Sequence, residues 1–173
     1  MEVDGFFRTF IDGGPRVSSM EIGVQRQYAP NSICFGCGPA NSKGLRIDSK
    51  RSEGGLSLTF MPEAHHEAFP GMINGGVIGT LLDCHGNWTA AIALMDAAGA
   101  AEPPCTVTAS YSVSLRRPTP SGVLLEVHSE VLELNDDRVR VALTMEADGK
   151  VRATGEGLFV AVTEGHPAYH RWS

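Results

Sequence analysis

The fold is decided by residues 71–95, which read GMINGGVIGTLLDCHGNWTAAIALM. Apolar side chains recur in this stretch at steps of three and four residues, which predicts a helix. They are Val77, Leu81, Trp88, Ile92 and Met95. Asn74 is a favoured N-cap, and Gly99 is a favoured residue just beyond a helix end. Because residues 71–95 contain no Lys, Arg or Glu, the helix has no ordinary solvated face and is predicted to be buried.

Asp83 is the one formal charge in this stretch. It lies in a strip of small residues at helical spacing, made of Gly76, Gly79, Gly86 and Ala90. Small residues let a ligand or another backbone approach closely. A buried carboxylate is unfavourable unless it is paired, and acids in such positions concentrate at functional sites. We therefore favour a functional role for Asp83 over that of a core acid satisfied by hydrogen bonds.

Composition excludes several classes of function. The chain has 173 residues, of which 42% are hydrophobic and 20% charged, as expected of one globular domain. A net charge of −6 without a Lys/Arg stripe argues against nucleic-acid binding. Asp83 and His85 interrupt the longest apolar run, so no membrane span is expected. The opening residues do not resemble a signal peptide, and the four cysteines are expected to be reduced thiols of a cytoplasmic protein.

Six runs of alternating apolar and polar residues predict strands. They cover 45–48, 56–60, 105–115, 123–134, 138–147 and 151–163. Residues 61–70 are predicted to be a loop that leads to the long helix. In 105–115 the apolar side chains from Val107 to Leu115 are predicted to share one face. The predicted fold class is α+β, with a mostly antiparallel sheet wrapped around one long central helix.

The flanks differ from this central region. Residues 1–30 are predicted to be an N-terminal extension, in which the apolar residues of 6–11 anchor a short helix that Gly13-Gly14-Pro15 ends. The main domain is predicted to span 31–163. Residues 164–173, rich in His and aromatic side chains, are predicted to be a C-terminal tail.

Cys34 and Cys37 form a Cys-x-x-Cys pair in a Gly/Pro-rich turn. Such a pair is typical of a zinc knuckle or a redox site, but structural zinc usually has four ligands, and no second Cys-x-x-Cys or His-x-x-x-His follows. Cys84 and Cys105 are isolated in the sequence. We interpret the pair as a packed turn and expect neither a metal nor a cofactor.

The order of the predicted elements resembles the hotdog fold, and the local motifs resemble those of the PaaI-like acyl-CoA thioesterases. The hallmark of that family is His-Gly-Gly followed by an acid, and Asn74-Gly75-Gly76 with Asp83 nine residues beyond Asn74 is similar to it. The leader Cys34-x-x-Cys37-Gly38, with Asn41 and Gly44-Leu45, also resembles that of some members. The resemblance covers residues 31–163.

This resemblance implies catalytic roles for three residues. Asp83 would activate water or attack the thioester directly, and the Gly75 N–H would stabilise the oxyanion. Family sites form between two subunits, so Asp83 of one chain would face Gly75 of the other. Asn74 replaces the family's His; it can cap the helix but cannot act as an acid or base near neutral pH.

The expected substrate contacts are Gly76, His66, Thr80, Arg116 and Arg117. Arginine binds phosphates well, which suits Arg116 and Arg117 to the phosphates of coenzyme A, although simple surface solvation explains them equally well. For His65, His66 and His85, a loop or core histidine without a chemical role is the favoured interpretation. His85 lies about 200° around the helix from Asp83, so the two are not expected to pair.

The resulting prediction is a cytoplasmic acyl-CoA thioesterase that forms a homodimer or homotetramer and binds neither nucleic acid nor membrane. One alternative is an enoyl-CoA hydratase or dehydratase, which the absence of a histidine at Asn74 disfavours. Another is a non-catalytic binder of acyl-CoA or lipid. A third is an inert oligomerisation module. The acyl group is not specified by the sequence.

Overall fold

The computed structural model describes residues 22–172 of the chain. The elements in chain order are α1 (Val24–Tyr28), β1 (Lys50–Ser52), β2 (Gly55–Phe60), a 3-10 turn (Ala64–His66), β3 (Glu67–Phe69), β4 (Met72–Ile73), α2 (Gly75–Ala98), β5 (Thr106–Leu115), β6 (Leu125–Leu134), β7 (Arg138–Ala147) and β8 (Lys150–Ala161). The short helix predicted at residues 6–11 lies outside the described residues. No helix within the described range is long and apolar enough to cross a membrane.

One antiparallel sheet of six strands carries the fold. Its order is β1-β2-β6-β7-β8-β5, so β5 lies at one edge. The long helix α2 contacts β2 and all four strands from β5 to β8. The predicted α+β class, an antiparallel sheet with one long helix packed against it, is confirmed. The small hairpin of β3 and β4 occupies part of the predicted loop 61–70 and leads the chain to α2.

The two ends of α2 lie where local sequence signals place them. The side-chain oxygen of Asn74 accepts a hydrogen bond from the Gly76 N–H at 2.7 Å, which confirms the predicted N-cap. Gly99 ends the helix in the left-handed conformation, with φ of 60°. Between Ile78 and Met95 nearly every residue is buried, as expected for a helix without a charged face.

The strand predicted at 45–48 is wrong, because these residues pair with the cysteine-containing turn instead of the sheet. The Leu45 N–H donates to the Phe35 carbonyl at 2.8 Å, and the Ile47 N–H donates to the Gly36 carbonyl at 3.0 Å. Arg46 between them is left-handed, with φ of 53°. The alternating burial of Leu45 and Ile47 is therefore real, but β1 begins only at Lys50.

The single apolar face predicted for 105–115 is also wrong. The pairing of β5 with β8 shifts register between Thr108 and Ser110. An extra residue in a strand moves the following side chains to the opposite face. Thr106 and Thr108 consequently bond to residues of α2 before the shift, whereas Tyr111 and Leu115 lie against it after the shift.

Both flanking segments pack onto the main domain within the described range. In α1, the Gln25 side chain is buried and exchanges hydrogen bonds with Ser49. In the tail, Trp172 is 7% exposed, and its ring stacks on that of Trp88 with centroids 4.2 Å apart. The boundaries proposed for the extension, the domain and the tail stay predictions.

Candidate active site

An open groove of about 410 Å³ runs between the start of α2 and the second half of β5. Its lining consists of Gly75, Gly76, Gly79, Tyr111, Val113 and Leu115. Because the helix contributes only glycines here, the helix backbone forms one wall of the groove. Apolar and aromatic side chains of β5 form the other wall.

Gly75, the first residue of α2, lines this groove. Asn74 occupies the neighbouring Gly76 N–H with its side-chain oxygen, and its backbone carbonyl accepts from Val77 and Ile78. No hydrogen bond among residues 22–172 uses the Gly75 N–H. The first N–H groups of a helix carry partial positive charge, so this one is able to hold a developing negative charge.

Asp83 lies two turns further along α2, half-buried against β5. The Thr108 hydroxyl donates a hydrogen bond of 2.7 Å to its carboxylate. Burial raises the pKa of Asp83 above its usual range because it removes water from the charged form. The hydrogen bond from Thr108 and the positive charge of Arg171 oppose this shift, whereas negative charge on Cys34 adds to it. The carboxylate is thus partly desolvated and held in one orientation.

Gly75 and Asp83 both adjoin β5, through Leu115 and Thr108 respectively, but they lie too far apart to act together within one chain. Eight residues of helix correspond to about 12 Å along its axis. A catalytic group must lie within about 3–3.5 Å of the reacting carbonyl carbon, and an oxyanion donor within about 3 Å of its oxygen. One chain therefore presents two separate halves of a possible acyl-transfer site.

The side chain of His85 lies in the core and not in the groove. The His85 ring is fully buried; Ser49 contacts its Nδ1 at 2.8 Å, and its Nε2 donates to the Leu56 carbonyl at 3.2 Å. Burial lowers the pKa of His85 to about 4, so the ring is neutral near pH 7. The expectation that His85 does not pair with Asp83 is confirmed, and it is a core histidine.

His66, the predicted substrate contact, is 8% exposed. Its Nδ1 accepts from the Glu63 N–H at 2.9 Å, and its ring packs on that of Phe60. Burial also lowers the pKa of His66. The His66 carbonyl accepts from the Asn74 N–H at 2.9 Å, so the His66 backbone holds the N-cap residue of α2 in place.

Thr80 and Gly76 are linked within the helix, because the Thr80 hydroxyl donates to the Gly76 carbonyl at 2.9 Å. The Thr80 methyl group lies against Gly36 in the cysteine-containing turn. Gly76 lines the groove, whereas Thr80 is not among its lining residues.

Arg116 and Arg117 follow Leu115 directly and are exposed where β5 leaves the groove. The Arg116 side chain donates to the Thr154 hydroxyl at 3.2 Å, and that of Arg117 donates to the Val151 carbonyl at 3.0 Å. These contacts hold both guanidinium groups near the groove end, with donors remaining for an anion.

Sequence reasoning missed two polar neighbours of Asp83. Thr108 carried a weak signal, since it lies on the polar face of a predicted strand. Arg171, in the tail, donates to the Asn87 side chain at 2.7 Å and to the Thr106 carbonyl at 2.6 Å. Nothing in the local sequence connects Arg171 with Asn87, which lies 84 residues earlier.

Cys84, isolated in the sequence, lies close to Cys34 and Cys37 in the folded chain. The sulfur atoms of Cys34, Cys37 and Cys84 lie within 4.8 Å of one another. Hydrogen bonds from Cys37 and then Cys84 lower the pKa of Cys34. The hydrogen bond with Cys34 raises the pKa of Cys37 to about 11. The predicted turn at 34–37 is confirmed, and it presses two of the three thiols onto α2.

Comparison with known proteins identifies the family. No family model and no curated protein matches the sequence. Among solved structures, a thioesterase superfamily protein from Shewanella loihica PV-4 is 30% identical, with 72% of this chain and 98% of that chain covered and a TM-score of 0.59. The chain belongs to the hotdog-fold thioesterase superfamily. The resemblance inferred from the sequence motifs is thereby confirmed.

Two structures of lower sequence identity have a similar fold. The Escherichia coli PaaI protein from the phenylacetic acid degradation operon is 18% identical, with 72% and 85% of the two chains covered and a TM-score of 0.58. A Streptococcus mutans UA159 protein bound to acetyl-CoA is 16% identical, with 67% and 88% covered and a TM-score of 0.56. At these identities the likeness concerns the fold alone. The interpretation of Asn74-Gly75-Gly76 as a variant of the family motif stays a prediction.

Proposed function

We propose that this thioesterase-superfamily chain hydrolyses acyl-CoA at a site shared by two copies of the chain. The observation that carries the proposal is the placement of two groups where α2 faces β5, about 12 Å apart along the helix. They are the Gly75 N–H, which has no hydrogen-bond partner within residues 22–172, and the Asp83 carboxylate, which accepts from Thr108. A two-fold axis between the two would place Asp83 of each copy opposite Gly75 of the other. The site is incomplete without the second copy.

The apolar wall of the groove supports a second copy as its partner. Tyr111 is 48% exposed and Leu115 57% exposed, although both are large side chains. They adjoin helix glycines that leave the backbone uncovered. A contiguous apolar surface of this kind is typical of an interaction site, and a self-complementary contact would bury it twice. Whether two or four copies assemble stays a prediction, as does the location in the cytoplasm.

In the proposed reaction the Asp83 carboxylate either accepts a proton from water that attacks the thioester carbonyl or attacks that carbonyl itself. In both cases the Gly75 N–H of the partner chain stabilises the oxyanion. The C–S bond then breaks, and the thiolate of coenzyme A leaves and takes up a proton. In the direct route, water subsequently hydrolyses the mixed anhydride formed on Asp83. The Thr108 hydroxyl orients the carboxylate in either route.

Arg116 and Arg117 are proposed to contact phosphates of coenzyme A. They lie directly beyond Leu115, which lines the groove, so a ligand that fills the groove would extend its polar end toward them. Guanidinium groups bind phosphate through paired, charge-assisted hydrogen bonds. Because the chain carries a net charge of −6, a polyanionic substrate needs such a local cluster of positive charge.

The test is a thiol-release assay over short, long and aromatic acyl-CoAs. We expect Asp83→Asn to lower kcat/KM at least about 100-fold on the substrate that is turned over best, since it removes an essential base or nucleophile. Asp96→Asn is the matched control, because Asp96 lies on the same helix but is exposed and pairs with Arg51. Near-normal turnover by the Asp83→Asn variant would refute the mechanism.

A non-catalytic binder of acyl-CoA is the second candidate, and the state of Asn74 favours it. The side-chain oxygen of Asn74 is committed to the helix cap, so no acid or base stands at the position where the family has histidine. The rings of His66 and His85 are engaged elsewhere, which also disfavours a hydratase. Equilibrium binding of acyl-CoA by the wild type, with no thiol released over hours, would establish this alternative.

A further inference from the structure

Three thiols from two distant parts of the chain converge beside the middle of α2. Cys34 and Cys37 come from the turn before β1, and Cys84 comes from the helix. Their sulfur atoms all lie within 4.8 Å of one another, and those of Cys34 and Cys84 are 3.9 Å apart. Around a tetrahedral zinc ion with Zn–S bonds of about 2.3 Å, neighbouring sulfurs lie about 3.8 Å apart. The cluster therefore needs only small side-chain adjustments to enclose one ion.

The turn is shaped to bring its thiols against the helix. A Cβ atom at Gly36 would lie 2.3 Å from the Cys84 sulfur and 2.8 Å from the Thr80 methyl carbon. A Cβ atom at Gly38 would lie 2.4 Å from the Cys34 nitrogen. Only glycine permits either approach without displacement of the neighbouring atoms. The close spacing of the three sulfur atoms thus depends on Gly36 and Gly38, and neither glycine lines the groove.

Burial and hydrogen bonding around the sulfurs resemble those of a ligand set. Cys37 is 4% exposed and Cys84 8% exposed, whereas Cys34 is partly open and gives access from solvent. The Trp88 indole N–H donates to the Cys37 sulfur at 3.3 Å. Donors of this kind hold metal-bound thiolates in place, and their loss weakens metal binding.

We propose that Cys34, Cys37 and Cys84 bind one Zn²⁺ ion, which ties the turn at 34–37 to α2 one residue beyond Asp83. Thiolate ligands select thiophilic ions such as Zn²⁺ over Mg²⁺ or Ca²⁺. No fourth His, Cys, Asp or Glu ligand atom within residues 22–172 joins the group, so the fourth position of the ion is left to water. The inference does not rest on thioester hydrolysis, because the three thiols lie outside the groove lining.

The test uses the full chain, kept reduced, stripped with a chelator and then titrated with Co²⁺ and with Zn²⁺. We expect one Co²⁺ per chain with an intense sulfur-to-cobalt absorption band, displaced by one Zn²⁺, and a rise in Tm on addition of Zn²⁺. Cys34→Ser and Cys84→Ser are expected to weaken Zn²⁺ binding at least about 100-fold, more than the loss of an outer hydrogen bond does. Cys105→Ser is the matched control and is expected to bind as the wild type does.

Trp88→Phe tests the outer hydrogen bond while leaving an aromatic ring to stack on Trp172. We expect this variant to keep the absorption band and to bind Zn²⁺ about 10–100-fold more weakly. Circular dichroism checks that each variant is folded, and Cys34→Ser, on the partly exposed turn, serves if Cys84→Ser does not fold. The proposal would be overturned if the reduced wild type showed no such band, or if Cys34→Ser bound Co²⁺ with the same affinity and the same band intensity as the wild type. Neither result involves hydrolysis, so the proposed function is judged separately.

Discussion

The small residues that follow one another along α2 occupy two different environments, and alanine substitution is expected to separate them. At Gly86 an added Cβ atom would lie 2.7 Å from the Phe159 ring and 3.1 Å from a Leu143 methyl carbon. Favourable carbon contacts lie at about 3.5–4.0 Å. Phe159 is 0% exposed and Leu143 2% exposed, so neither side chain has room to move aside.

At Gly79 the same atom would meet only the Tyr111 hydroxyl, at an ordinary 3.5 Å. Replacing a helix-interior glycine by alanine stabilises a protein by about 1 kcal/mol when there is room. Overpacking a core destabilises it by about 1–3 kcal/mol. Gly79→Ala is therefore expected to raise the free energy of unfolding by about 1 kcal/mol. Gly86→Ala is expected to leave it unchanged or lower it by up to about 2 kcal/mol.

The free energies of unfolding of the two variants are measured by urea unfolding, monitored by circular dichroism, at protein concentrations low enough to keep the chains monomeric. Because the helix-propensity gain is common to both variants, the difference between them reports the packing of α2 on β7 and β8. We expect a difference of about 1–3 kcal/mol with unchanged m-values. Equal stability of the two variants would refute the close approach of the helix to the sheet at Gly86.

Three further predictions concern single side chains. Thr108→Val should lower kcat/KM about 10–100-fold and move the acid limb of the pH–rate profile to higher pH. The reason is that the lost hydrogen bond stabilised the charged form of Asp83. An unchanged profile would contradict this. Burial of His85 should by itself lower the free energy of unfolding by about 3 kcal/mol between pH 7 and pH 4, because the unfolded state protonates this histidine near pH 6.5 and the folded state only near about 4. His85→Gln should remove this contribution, which is measured as the difference between wild type and variant in pH-dependent unfolding. Replacing both Arg116 and Arg117 by alanine should raise the KM for acyl-CoA about 10-fold. The KM for the corresponding N-acetylcysteamine thioester, which has no phosphates, should stay unchanged. An equal rise in KM for both substrates would refute the phosphate contact.

Several features of the candidate site were predictable because they depend on neighbouring residues in the chain. The Asn74 side chain caps the N–H of Gly76, two residues ahead. The Gly75 N–H finds no partner in the part of the chain that the structure describes, because the first N–H groups of a helix have none within it. The burial of α2 followed from the absence of charges around its circumference. The location of Asp83 against a sheet, with water partly removed, followed from the same pattern.

Other features depended on contacts between distant segments. The register shift in β5 reverses which side chains face α2, and alternation in the sequence carries no sign of it. The backbone N–H groups of Leu45 and Ile47 donate to the turn at 34–37 and not to the sheet. The strand-like pattern of these residues therefore forms no strand. Arg171 reaches the start of β5 from a tail whose next residue, Trp172, stacks on Trp88.

The amino-acid sequence by itself determined the long buried helix, the antiparallel class of its sheet and the position of Asp83, because propensities, caps and periodicity act over a few residues. Only the tertiary structure decided what surrounds that carboxylate and that Cys84 joins Cys34 and Cys37. Such neighbours are brought together by packing between elements, which one residue's spacing from the next does not encode.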